Sequence, residues 1–287
     1  MFDFSIVIPT YNRPERLGKC LHSLSNLDYP LDHFEVIVVD DGSPQSLDSI
    51  IDKYQQKLNI NYHKQSNSGP ATARNKGASL AKYPYLVFTD DDCEVDPQWL
   101  KGFASAFEKN PSGVLGGYTM NKLTNNIYSQ TSQNLVDYLY GYYNDHDRKH
   151  KFFTSNNLAI PREIFQKIEG FDTTFPLAAA EDRELCDRIA DEGYDLIFER
   201  SAVIYHQHFL TLQSFWKQHF NYGKGAKHFH QLKAVKNQEP IKLESLVFYY
   251  DLLVYPFKLS CSFLEKIQGV ILLFISQLAN TIGFIQG

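Results

Sequence analysis

Cysteine is scarce in this 287-residue chain, and Cys20, Cys93, Cys186 and Cys261 lie far apart with no CxxC pair. That scatter excludes an extracellular disulfide framework and fits reduced thiols in a cytosolic chain. Basic charge is not in excess either: the net charge is −5, so nothing global points to nucleic acid, and any basic function has to be local. The N-terminus, MFDFSIVIPTYN, has neither a basic n-region nor a long apolar h-region. No secretory signal is therefore expected, and the main domain is expected in the cytoplasm. Internal repeats and low-complexity tracts are missing as well. What remains is an ordinary globular composition, 43% hydrophobic and 21% charged, long enough for one large domain with a small appendage.

Short apolar runs alternate with helical patterns through the first part of the chain. FSIVI (4–8), FEVIVV (34–39), NINYHK (59–64) and YLVFT (85–89) each lead into an amphipathic stretch, such as Leu17, Cys20, Leu21 and Leu24 after the first. Apolar runs of this length between helices predict buried parallel strands, hence an α/β sheet. Further on, VLGGYTM (114–120) predicts a strand and 121–151 loop and helix. FFTSNNLAIP (152–161) predicts a strand with a turn, and Pro161 starts a helix through PREIFQKI. Residues 181–193 predict an amphipathic helix closed by Gly193, and LIFE and AVIYH two more short strands.

Open α/β sheets bind ligands beyond the carboxyl ends of their strands. Polar clusters fall there: Pro9, Thr10, Tyr11 and Asn12 after the first strand, Asp40 and Asp41 after the second, Asp90, Asp91 and Asp92 after the fourth. Three adjacent carboxylates repel one another, and a Mg²⁺ or Mn²⁺ ion shared with substrate phosphates would account for them. A helix N-cap is the plainer reading of an Asp cluster, although one Asp suffices for it and Asp96-Pro97 stands nearer the helix start. Asp41 lies in a DDGS turn that is either only a turn or a contact for a base or ribose. Arg74, on the helix after NSG, is placed to meet a nucleotide. Glu181 and Asp182 open a helix, where carboxylates usually answer the macrodipole. Their approach, FPLAAAED, is apolar, which also makes them candidates for general-base work. His206 and His208 follow a strand end, and ten histidines in the chain make an accidental HxH pair easy.

Taken in order, SIVIPTYNR (5–13), VIVVDDGS (36–43), NSGPATARNKG (67–77), VFTDDD (87–92), IEGFD (168–172), Glu181-Asp182 and His206 resemble family 2 glycosyltransferases. The resemblance implies a GT-A fold over residues 1–230: a mostly parallel sheet flanked by helices, with a nucleotide-binding half and an acceptor-binding half. Residues 231–287 would then be a C-terminal helical appendage. It also implies a metal-dependent, inverting transfer of sugar from a nucleoside diphosphate sugar, a UDP-sugar foremost, to a glycan or lipid-linked acceptor hydroxyl. Pro9, Thr10, Tyr11, Asp41, Arg74, Asp90 and Asp91 would hold the nucleotide sugar, Asp41 reading the base. Asp92 would hold Mg²⁺ or Mn²⁺, with His206 beside it. Asp182 would be the base, Glu181 its companion on the acceptor, and Asn157 would line the acceptor side.

Two departures from the family pattern stand out. The triplet is Asp-Asp-Asp where the family needs only DxD, and Ala-Ala-Ala precedes Glu181 where relatives often carry glycine. The Gln-x-x-Arg-Trp motif of processive members is missing from LTLQSFWKQHFNYGKGAKHF, so transfer of one sugar or a few is expected. The competing readings are a non-catalytic nucleotide- or glycan-binding protein on the same fold and a nucleotidyltransferase. The latter lacks its usual GxGTR-like loop here, PTYNRPERL standing in its place.

Past Leu243 charges thin out, and SLVFYYDLLVYPF and GVILLFISQLANTIGF follow. Gln277 and Asn280 interrupt the second run, which makes it a marginal spanning helix. With Lys217, Lys224, Lys227, Lys233, Lys236 and Lys242 before it, the tail reads either as a membrane-surface hairpin at the cytoplasmic face or as an ordinary helical subdomain or dimer interface.

Overall fold

The computed structural model describes residues 1–144, 152–175, 179–238 and 244–287. The elements run β1 (Phe4–Thr10), α1 (Pro14–Leu24), β2 (Phe34–Asp40), α2 (Asp48–Gln55), β3 (Ile60–Lys64), α3 (Pro70–Leu80), β4 (Tyr85–Thr89), β5 (Cys93–Val95) and α4 (Trp99–Lys109). The chain continues through β6 (Val114–Asn121), α5 (Ile127–Asn144), β7 (Asn157–Pro161), α6 (Arg162–Lys167), α7 (Glu181–Asp191), β8 (Leu196–His206), α8 (Leu212–Asn237), α9 (Leu246–Val254) and α10 (Phe263–Gln286).

The chain divides into two compact units. The first comprises residues 1–120, 149–176 and 182–207 and carries an eight-stranded sheet in the order β3-β2-β1-β4-β7-β6-β8-β5. β3, β2, β1 and β4 pair in parallel, and β7 is antiparallel to both β4 and β6. Every residue of β1 and β2 is buried, as strands covered on both faces must be. Phe4, Ile6 and Ile8 face α1, joining Leu17, Cys20, Leu21 and Leu24 in the main core. The opposite face receives α3, where a side chain on Gly77 would collide with Val7. The strand-then-helix alternation thus yields helices on both faces of the parallel half of the sheet.

Several local expectations are corrected. The strand expected over 152–161 begins only at Asn157, and Pro161 closes it, leaving α6 to begin at Arg162. LIFE and AVIYH belong to one continuous strand, β8. The intervening Arg200 and Ser201 are exposed, and Ser201 donates through its amide to Glu199 Oε1 at 2.8 Å, so polar residues here mark a solvated stretch of strand. β5, only three residues long, follows the acidic triplet directly and pairs with the end of β8.

The second unit comprises residues 121–148, 177–181 and 208–287, built on α5, α8, α9 and α10. α8 is continuous across residue 230. Leu135, Tyr138, Phe248, Leu252 and Leu273 form one of its cores and Leu210, Phe215 and Leu272 another. Thr211 and Ser262 cap α8 and α10, each through a reciprocal capping box. Lys242, the end of the 121–151 segment and Pro176-Leu177-Ala178 of the apolar approach to Glu181 lie outside the described residues.

Candidate active site

Sheet order assembles the site. β1 lies beside β4, so Thr10 at one strand end meets the carboxylates after the other. Thr10 donates through Oγ1 to Asp91 Oδ2 at 2.7 Å. The short strand β5 then places Cys93 opposite His206 in β8, and the amide of Gln207 donates to the Asp92 carbonyl at 2.8 Å. This register brings His206 Nε2 within 3.3 Å of Asp92 Oδ1. Asp91 and Asp92 are both buried.

The charge that makes three carboxylates tolerable comes from the start of α1 and from α3. Arg16 Nη1 donates to Asp92 Oδ2 at 2.9 Å, and Arg13 Nη1 reaches Asp91 Oδ1 at 3.2 Å and Asp92 Oδ2 at 3.4 Å. Asp90 turns the other way: it accepts from Arg74 Nη2 at 2.7 Å, and that buried guanidinium lies 5.5 Å from the centre of the Phe171 ring. Each carboxylate of the triplet thus meets a cation: Arg74 for Asp90, Arg13 shared by Asp91 and Asp92, and Arg16 with His206 for Asp92.

These neighbours set the proton affinities. Burial, then the charge of Asp92, pushes the Asp91 carboxyl up to about 6, against the opposing pull of Arg13 and Thr10. Burial alone would lower His206, but the adjacent Asp92 outweighs it and raises the imidazole above its usual value. Burial and the same carboxylates push the Cys93 thiol well up, so it stays protonated.

Asp92, Cys93 and His206 offer ligand atoms within 4.8 Å of one another. A protonated thiol is a poor partner for a hard cation, which leaves the Asp92 carboxylate and the His206 imidazole as donors. An oxygen and a nitrogen at strand ends fit a divalent ion of the Mn²⁺ or Mg²⁺ kind.

Asp41 has a different environment. Its carboxylate accepts from Gln65 Nε2 at 2.8 Å, the Ser68 amide at 2.9 Å and the Gly69 amide at 2.8 Å, so it shapes the loop that opens α3. Gly69, at φ 88°, can turn its amide to that carboxylate because it has no Cβ. Arg74, expected to meet the nucleotide, pairs with Asp90. Pro9 is buried at the end of β1, and Tyr11 is half exposed beyond it. Asn157, expected on the acceptor side, is wholly buried. It donates through Nδ2 to the Tyr118 and Ala202 carbonyls at 3.1 and 3.0 Å, and accepts from Trp99 Nε1 at 2.8 Å. The side chain ties β6, β7, β8 and α4 together. Glu181 is buried at the start of α7, and Asp182 Oδ1 accepts from the Arg183 amide at 2.8 Å.

Arg13 and Arg16 are the site residues that motif reading passes over. A signal for them exists. Both stand at the start of α1, where the helix dipole disfavours cations, so two arginines there imply an anionic partner.

The model of a family described as Glycosyl transferase family 2 matches residues 5–169, more than half of the chain. The chondroitin synthase of Escherichia coli is 29% identical over 236 residues, which cover 71% of this chain and 34% of that protein. The poly(ribitol-phosphate) beta-N-acetylglucosaminyltransferase TarS of Staphylococcus aureus is 36% identical over 117 residues, 40% of this chain and 20% of that one. The chain therefore spans about a third or less of these two relatives. Among solved structures, the mannosyltransferase PcManGT from Pyrobaculum calidifontis in complex with GDP-Man and Mn²⁺ superposes with a TM-score of 0.64 at 17% identity, covering 97% of this chain and 77% of that one. S. aureus TarS 1–349 in complex with UDP-GlcNAc gives 0.61 at 17%, covering 98% and 89%. At these identities the likeness establishes a shared fold, the GT-A arrangement expected from the motifs.

Proposed function

Because the chain belongs to glycosyl transferase family 2, we propose that it moves a sugar from a nucleoside diphosphate sugar to an acceptor hydroxyl, with inversion and with help from a divalent metal. One observation carries the reading: Asp92 meets His206 and two arginines at the strand ends, an acidic ligand set ringed by cations. A diphosphate leaving group needs that combination, because its developing negative charge must be met where it forms. When bound, Mn²⁺ or Mg²⁺ on Asp92 and His206 would supply that positive charge. Asp90, Asp91, Thr10 and Tyr11 would hold the donor's sugar and nucleoside, with Asp41 acting on the base both directly and through the loop it braces. Asp182 would take the proton of the acceptor hydroxyl, a nucleophile too weak at neutral pH without a placed base. With one base and no enzyme nucleophile, displacement at the anomeric carbon inverts it.

The donor we favour is a UDP-sugar, in keeping with the UDP-GlcNAc complex of a structural neighbour. The acceptor is a glycan or a lipid-linked saccharide met at the cytoplasmic face of a membrane, and transfer stops after one sugar or a few. Residues 1–230 would carry the chemistry and 231–287 would serve as an appendage. The test is a panel of UDP-, GDP- and TDP-sugars assayed for hydrolysis with Mn²⁺, with Mg²⁺ and with chelator. Metal-stimulated release of one nucleoside diphosphate is expected; a chain that binds a nucleotide yet hydrolyses none of the panel would be a binding protein instead.

A further inference from the structure

α10 is apolar on two faces, only one of which is covered by the described residues. Ala279 and Gly283 lie on the buried face, whereas Ile267, Ile271, Phe274, Leu278 and Ile285 are exposed. Their spacing of three, four or seven residues draws one stripe along the helix, about 27 Å long at 1.5 Å per residue. No charged side chain follows Lys266. A stripe of this length, broken only by the exposed and uncharged Thr281 and left in solvent, marks an interaction surface.

By length and composition α10 is able to cross a membrane. Its packing opposes that. Side chains added at Gly223 of α8 and Gly283 of α10 would collide with the carbonyls of Asn280 and Phe220, so the two helices touch backbone to backbone. α8 carries Lys217, Lys224, Lys227, Lys233 and Lys236 and cannot follow α10 into hydrocarbon. A helix held this way can only lie along a surface.

Charge identifies the surface. From His208 onward the chain has eight lysines against four carboxylates, although the whole chain is net −5. Lysines also bound the stripe at both ends. Lys266 stands at its start, and at its finish Lys227 Nζ approaches the Ile285 carbonyl at 3.4 Å while Lys224 lies against Gly287. Lysines flanking an apolar helix face suit anionic headgroups, whereas a second copy would bring two positive segments together.

We propose that α10 lies in the plane of an anionic phospholipid bilayer, its exposed stripe in the acyl boundary and its flanking lysines on the headgroups. This goes beyond sugar transfer and does not depend on it. The test is co-sedimentation of the full chain with vesicles of phosphatidylcholine and phosphatidylglycerol at 3:1, and of phosphatidylcholine alone. The partition coefficient is expected to fall at least tenfold without the anionic lipid, and at least tenfold for Ile271→Glu or Phe274→Glu with mixed vesicles. Phe274→Trp, a conservative change, should bind as the native chain does and shift its emission to the blue on mixed vesicles. Both glutamate variants should keep the native melting temperature and hydrolyse donor in solution as the native chain does, which separates this inference from the enzymatic one. Glutamate variants that sediment like the native chain would overturn it. So would a native chain that ignores vesicles, or one that forms a dimer which Ile271→Glu dissociates.

Discussion

Arg16 and Asp92 share a charge-assisted hydrogen bond of 2.9 Å, although Arg16 stands in the first turn of α1, where the helix dipole opposes a cation. The pair therefore costs α1 something locally and repays it across the sheet. It also defines a competition: a divalent cation on Asp92 has to share or displace the guanidinium.

Arg16→Gln should expose that competition. Arg16 is about one-third exposed, so losing the pair is expected to destabilise the metal-free protein by only about 1 kcal/mol. The same loss leaves Asp92 with one guanidinium in place of two, and the Mn²⁺ concentration giving half-maximal thermal stabilisation should fall roughly fivefold, the equivalent of ~1 kcal/mol. Thermal melts across a Mn²⁺ titration read both effects at once. A midpoint that stays put or rises would show that Arg16 does not oppose the metal.

Asp92→Asn keeps the shape of the side chain and removes its charge. The Mn²⁺-dependent thermal shift should vanish, and donor turnover should drop by about a hundredfold or more, since metal charge stabilisation is worth several kcal/mol. His206→Gln should weaken both effects without abolishing them, because one donor of two remains. Equal metal responses in Asp92→Asn and the native chain would remove Asp92 from the metal site.

The parallel half of the sheet is plain in the sequence because β1, β2 and β4 are buried on both faces and read as unbroken apolar runs ending in polar clusters. Thr10, Asp91, Asp92 and His206 were each identifiable as strand-end residues. Their partners were harder to see. The pairing of Arg13 and Arg16 with the triplet depends on β1 and β4 being neighbours, a fact of sheet order that no local pattern carries. β5 is too short to show a period, and without it nothing predicts that Cys93 faces His206. Asn157 shows the opposite: a polar residue at a strand start looks available in the sequence, yet its amide bonds inside the sheet.

Asp182→Asn tests the proposed base. An amide accepts no proton from the acceptor, so transfer should fall by about a hundredfold to ten-thousandfold, the usual range for general-base catalysis. Donor affinity, measured by titration calorimetry with the nucleotide and Mn²⁺, should stay within about threefold, since the substitution is nearly isosteric and leaves Asp90 to Asp92 untouched. A collapse in donor affinity would move Asp182 to the donor side.

His219 should make the second unit sensitive to acid. It is buried on α8 against the Phe215 ring at 4.3 Å, and among the described residues nothing bonds its Nε2. Burial, helped by the charge of His208, drives its pKa down to about 3. A histidine with a depressed folded pKa favours the fold while it is neutral, so its contribution is complete above about pH 6.5 and is lost as pH falls toward 3. Over that interval the loss amounts to about 4 kcal/mol as an order of magnitude, enough to consume much of a typical domain's stability. Denaturant unfolding at pH 7.5, 5.5 and 4.5, followed in parallel for His219→Phe, checks it. The variant should match or exceed the native chain at pH 7.5, because it buries no unmet nitrogen, and should lose distinctly less stability by pH 4.5. Parallel pH profiles for the two proteins would mean that other groups govern the acid response.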